Sequence, residues 1–131
     1  MDIKILSSLL FSTNFIGNLY LENYIYGLFF LILLITSLIH HNSNTDNSFI
    51  IDQIALYLVI ICGGYYFFSK KDYNGLVYYF IILMFLSCAF LYWGGKTCEH
   101  FCFHPEKDYS DKFHVLMHIC GSIGHHFIVF G

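Results

Sequence analysis

Four long stretches almost free of charge decide what this chain can fold into. They are Tyr24–His41, Phe49–Phe68, Gly75–Trp93 and Asp111–Phe130. At about 18 to 20 residues each gives roughly 30 Å of helix, enough to cross the hydrocarbon core of a bilayer. In lipid a spanning segment must satisfy its own backbone N–H and C=O groups, so these stretches are expected to be helices. The surrounding composition agrees: of 131 residues, 57% are apolar and 11% charged, too apolar for a soluble domain of this size. The expectation is a single all-α membrane domain over residues 1–131, a polytopic (multi-pass) helix bundle. It has four spans plus an N-terminal interfacial or partly inserted helix over residues 1–23.

The punctuation between the stretches supports this division. His41-Asn42-Ser43-Asn44-Thr45-Asp46-Asn47-Ser48 is rich in loop formers and short enough for a tight reversal between antiparallel helices. Tyr65-Tyr66-Phe67-Phe68 followed by Lys70-Lys71 has the aromatic belt and charge of a membrane boundary, and so does Tyr92-Trp93 before the polar loop Lys96–Ser110, which contains the sole proline, Pro105. At the N-terminus Ile5, Leu9, Phe15, Ile16 and Leu19 fall loosely at helical spacing among serines and asparagines. Two serines interrupt the apolar run and no small-residue cleavage site follows, so a retained N-terminal helix is expected rather than a signal peptide.

Several function classes drop out. Net charge is −3, there is no arginine and the six lysines are scattered, so the basic stripe of a nucleic-acid binder is missing. Cys62, Cys88 and Cys120 lie in apolar segments, where a thiol acts as a small hydrophobe. Cys98 and Cys102 lie in a loop and could pair, bind metal with His100 and His104, or do neither. The tyrosines and phenylalanines read as lipid-facing and belt residues, with no cofactor box among them.

The informative residues are polar groups set in apolar runs, which are costly in lipid and usually functional. His114 and His118 are four apart at the head of the last stretch, so both imidazoles can reach one metal ion from one helix face. His100 and His104 have the same spacing in the loop. Further ligands must come from elsewhere, and the candidates are His40, His41 and Asp52. Because each crossing reverses direction, the end of the first span, the start of the second, the end of the third and the start of the fourth share one membrane face. His41, Asp52, His114 and His118 therefore fall in one layer. Ser37 lies one turn before His41 on the same helix face. His125 and His126 lie beyond His118 toward the opposite face and are expected to be interfacial.

The order and spacing of these residues resemble a known family. Ser37-x-x-x-His41, Asp52 eleven positions on, and His114-x-x-x-His118 near the C-terminus, together with Asp52-Gln53-Ile54-Ala55 and Gly124 six after His118, look like the CREST superfamily of membrane hydrolases. That group includes the alkaline ceramidases and the progestin and adipoQ receptors. The resemblance covers the motif-bearing helices alone: members usually have more spans, and the acidic N-terminal calcium-site residues of the ceramidases have no counterpart here. The chain then reads as a reduced form or as the protomer of a homo-oligomer.

The resemblance implies a zinc ion (Zn2+) held by His41, His114 and His118, with Asp52 and Ser37 beside it. Three imidazoles leave a tetrahedral zinc one open position, the arrangement of a catalytic site. Asp52 would then move the proton and Ser37 would donate to the developing oxyanion. The substrate implied is a membrane lipid amide or ester, ceramide-like, reached while its chains remain in the bilayer. Two other readings stand beside hydrolysis. A receptor or scaffold would use the same zinc layer structurally. A haem protein would use His41 and His118 as axial ligands, leaving Asp52 and the third histidine without a task.

Overall fold

In the computed structural model, which describes residues 2–131, every regular element is helical. The elements are α1 (Ile3–Ser8), α2 (Leu10–Tyr20), α3 (Tyr24–Ser43), α4 (Asp46–Ser69), α5 (Gly75–Ala89), α6 (Gly95–Cys98) and α7 (Lys107–Phe130). A π-helical turn, Phe90–Gly94, carries α5 into α6, and a short 3-10 turn follows at Phe101–Phe103. Four helices are long and apolar enough to cross a membrane: α3, α4, the continuous Gly75–Cys98, and α7. Between their polar ends their outer surfaces are largely apolar, with Ile25, Ile61, Leu76, Tyr79 and Leu86 among the exposed side chains. This is the multi-pass arrangement that the hydropathy of the chain calls for.

Local chemistry lengthens the helices beyond the apolar stretches. Between α3 and α4 only Asn44 and Thr45 remain outside helix. Asn44 takes the left-handed conformation (φ 51°) that ends α3, a role asparagine accepts more readily than most residues. Thr45 and Ser48 then cap each other's backbone N–H groups, so α4 begins three residues before its first apolar residue, Phe49. At the other loop α7 gains an extra turn, with the ion pairs Lys107–Asp111 and Lys112–Asp108, each 2.7 Å and four residues apart.

The N-terminal helix lies along the bundle as α1 and α2, with its polar side chains turned inward. Ser7, Ser8, Asn14 and Asn18 are buried, while Leu6, Leu9, Ile16 and Leu19 are exposed. Its direction follows from its contacts with α7. Ser7 meets His118, Asn14 meets Ser122, Thr13 meets His126, and Gly17 sits beneath Phe130. The segment therefore runs parallel to α7 and antiparallel to α3, where Ser8 bonds Ser37 and Asn18 packs on Gly27. The Asn14 amide donates to the Ser122 carbonyl at 3.0 Å, and the Ser122 hydroxyl donates to Asn14 Oδ1 at 2.6 Å. Such reciprocal pairing removes the desolvation cost that either group alone would carry.

The apolar core lies between these elements and includes Phe11, Phe30, Leu33, Val59, Ile81 and Ile128. One neighbour pair is not closed. Although α4 and α5 are consecutive, their Cα atoms nowhere approach within 8 Å, whereas α5 packs along α7 and α4 along α3.

These packing relations place the α3–α4 turn and the α6–α7 connection at one end of the bundle and the α4–α5 turn at the other. With the native cysteines replaced, Ser43→Cys and Glu106→Cys should react with an impermeant maleimide from one side of sealed vesicles, and Asp72→Cys from the other. Labelling of positions 43 and 106 from opposite sides would be incompatible with this fold.

Candidate metal centre

Three helices deliver polar groups to the end of the bundle where α3 stops and α7 starts. His114 and His118, one turn apart on α7, have ring centroids 4.6 Å apart. His41, from the last turn of α3, stands 4.9 Å from His114 and 5.6 Å from His118 between centroids. One nitrogen from each ring can be chosen so that all three lie within 4.8 Å of one another. Tetrahedral metal–nitrogen bonds of about 2.0–2.1 Å set their nitrogens about 3.4 Å apart, so the three rings must close in by about an ångström to share one ion.

The donor set fits a metal by its own hydrogen bonding. His41 Nε2 is buried and has no hydrogen-bond partner among the described residues, a condition that native proteins seldom leave uncompensated. The tautomer of His118 follows from its neighbours. The Ser7 hydroxyl donates to the Lys4 carbonyl at 3.0 Å and lies 2.7 Å from His118 Nδ1. Ser7 has one proton, and with that proton on Lys4 it accepts from His118 Nδ1–H, which leaves the Nε2 lone pair free for a ligand bond. This is the usual arrangement of a ligating histidine, whose second nitrogen is held by an outer partner. Phe11 covers the ring of His118 at 5.0 Å.

His40 is turned away from this group. Its Nδ1 lies 3.1 Å from Ser48 Oγ and its ring packs on Phe49, which leaves His41 as the α3 contribution. Asp52, on α4, is buried (9% exposed) and stands outside the three-imidazole group; its Oδ1 accepts from Thr36 Oγ1 at 3.0 Å. Ser37 is buried and lies 2.8 Å from Ser8 Oγ. Ser8 Oγ also donates to the Lys4 carbonyl at 2.8 Å, which ties Ser37 to α1. Above the histidines Asp111, one turn before His114, receives Lys4 at 3.0 Å and Lys107 at 2.7 Å.

The alternative loop ligands do not assemble. Among the described residues no metal-capable group includes Cys98, His100, Cys102 or His104. The rings of His100 and His104 are 6.1 Å apart, and His104 Nδ1 accepts the Glu106 N–H. Both cysteines are free thiols, and burial pushes that of Cys102 up to about 11, against the thiolate that metal binding requires.

The sequence expectation for His125 needs correction. It is buried rather than interfacial, packed against Phe30 and Phe85 and bonded through Nδ1 to the hydroxyl of fully buried Tyr26. His126 is half-buried and bonds Thr13. Sequence reasoning also missed Lys4, Ser7, Ser8 and Thr36. For the first three the only signal was a Lys4-x-x-Ser7-Ser8 stripe on a helix that its apolar residues alone describe poorly, and Thr36 gave none.

No protein-family model, curated protein or solved structure matches this chain. The geometry above therefore carries the functional reading by itself, with the sequence motifs beside it.

Ser7→Ala should leave the buried Nδ1 of His118 unpaired and destabilise the protein by about 1–3 kcal/mol. Ser12, which bonds only the Leu9 carbonyl of its own segment, is the control, and Ser12→Ala should stay within about 0.5 kcal/mol. Denaturant unfolding in detergent compares the two.

Proposed function

We propose that this chain is a zinc-dependent hydrolase acting on lipid amides or esters within the membrane, a reduced relative of the ceramidase-like hydrolases whose motif order it resembles. The observation that carries the reading is the convergence of His41, His114 and His118 below one end of an apolar bundle, with the Nε2 of His41 unpartnered. A purely structural polar layer would be expected to pair its buried nitrogens with one another or with the backbone.

When bound, zinc supplies Lewis acidity, which acidifies a water and polarises an amide or ester carbonyl. The chain's own residues do the rest. Ser7 fixes the tautomer and orientation of His118, and Asp111, tied to Lys4 and Lys107, pins α1 over the histidines. Asp52 is the carboxylate available to accept the proton that water loses and to return it to the leaving nitrogen or oxygen. Thr36 orients it through Oδ1, leaving Oδ2 for that exchange. Ser37 secures α1 through Ser8 and borders the site. A lipid arrives from the side of the bundle, through the gap between α4 and α5, where an apolar cavity reaches His118.

A specific observation also favours a structural use of the same ion: His41 and His118 lie across the α3–α7 contact, while Ser7 and Lys4 clamp α1 onto α7 and Ser8 clamps it onto α3. Turnover separates the two readings. Detergent-purified wild type should hold about one zinc per chain, lost in His114→Ala and His118→Ala and kept in His100→Ala and His104→Ala. The same preparations should hydrolyse a ceramide or another member of a panel of lipid amides and esters. Asp52→Asn can still accept from Thr36, so it should keep its zinc and lose about 100- to 10,000-fold in rate. Zinc-loaded wild type inert across the panel would leave the structural role, and undiminished hydrolysis by Asp52→Asn would remove the proton from that residue's account.

A further inference from the structure

The same face of α7 carries a second polar centre, two turns below the first. His125 follows His118 by seven residues, about 10 Å along the helix. It is 5% exposed, and Tyr26, its partner, is fully buried. Gly63 makes this pairing fit: a Cβ there would lie 2.6 Å from His125 Cε1 and 2.8 Å from the Tyr26 hydroxyl. Tyr26 has no other polar partner among the described residues, and its surroundings are the rings of Phe30, Tyr66 and His125. A buried phenol whose only acceptor is an imidazole nitrogen donates to it, since the opposite arrangement would strand the phenol proton. Tyr26 therefore donates to His125 Nδ1, and the neutral ring carries its proton on Nε2. No protein group among the described residues accepts that proton.

His125 lines the cavity between α4, α5 and α7. Its volume is about 290 Å³, and His118 and Trp93 also line it. Small-molecule sites run from about 300 to 1,000 Å³, so this one suits a slender occupant. Its walls are almost wholly apolar, among them Phe30, Leu56, Val59 and Phe85. An unpaired N–H donor left accessible among such apolar walls is costly in the empty cavity and favourable to any ligand that brings an acceptor.

We propose that this cavity is a binding site for a slender apolar molecule bearing a hydroxyl or carbonyl oxygen, which His125 Nε2–H recognises. The oxygen sits about 10 Å from the His118 end, so a ligand with polar groups at both ends of a chain of some eight carbons spans the two imidazoles. Entry is from the bilayer, between α4 and α5. Recognition at His125 is independent of metal at the other end and of any hydrolysis there.

Trp93, the only tryptophan in the chain, reports entry through its emission. The probes are octanol and the octanediol with a hydroxyl at each end, titrated into protein in lipid nanodiscs after chelation of metal. Each affinity is referred to the probe's concentration in the membrane phase. Wild type should prefer the diol by about tenfold, the yield of one well-placed hydrogen bond. His125→Phe should bring that ratio to about one while octanol binding persists. Gly64 also lines the cavity, and a Cβ added there would have nothing within 4 Å, so Gly64→Leu should fill the space and abolish both responses without touching His125. A wild type that shows no diol preference, a preference that survives in His125→Phe, or binding that survives in Gly64→Leu each overturns the proposal. Because every arm is run on metal-stripped protein, the outcome is separate from the fate of the hydrolase reading.

Discussion

A polar group that leaves water for the interior of an apolar bundle must find a partner there, and most of this structure follows from that requirement. Lipid competes for apolar side chains as well as any core does, so burying Leu or Ile gives little preference for one helix arrangement over another. Direction and register come instead from hydrogen bonds. Two serines share the Lys4 carbonyl, and through them α1 is fixed to His118 of α7 and to Ser37 of α3. Further along, Asn14 and Ser122 exchange two bonds across α2 and α7. Slipping either helix by one residue would strand all of these groups at once.

The same economy explains why the histidines fall into two centres with different surroundings. At the end of the bundle three rings face one another, Ser7 holds the outer edge of His118, and Lys4 pairs with Asp111 one turn before His114. This leaves inward-facing nitrogens without protein partners, as a cation would require. Two turns deeper His125 faces a phenol and two aromatic rings, with no carboxylate or second imidazole against it. Such surroundings suit a neutral donor. One helix face thus presents a cluster of lone pairs at one level and a single N–H at the next.

The spans were legible because length and absence of charge are additive along a chain and need no knowledge of partners. The layer of His41, Asp52, His114 and His118 was legible for a related reason, since connectivity alone assigns ends of spans to faces. What the sequence could not reveal lay in small side chains and in packing. Ser7, Ser8, Asn14 and Asn18 form a polar stripe that reads as weak amphipathicity, and its burial depends on partners more than 100 residues away for Ser7 and Asn14. His125 followed the pattern of an interfacial residue until Gly63 allowed Tyr26 and the imidazole to meet. Helix ends moved for local reasons: the Thr45–Ser48 capping box extends α4, and two ion pairs extend α7.

The gap between α4 and α5 is the step that no single segment could foretell, because it belongs to neither helix. α3 holds α4 through the two-residue turn and the Thr36–Asp52 bond, and α7 holds α5, so the two central helices are drawn to opposite flanks. At one end Tyr92, in the π-helical turn, reaches across to Gln53 at 3.5 Å, and at the other Phe67 stacks on Tyr78. Between those two contacts the bundle interior meets the bilayer. The histidine end is covered in part by α1 and the Lys4–Asp111 ion pair, while the long side stays open between α4 and α5. The interior of the bundle is therefore apolar and open on its flank, with His118 at one end of that opening and His125 further along it.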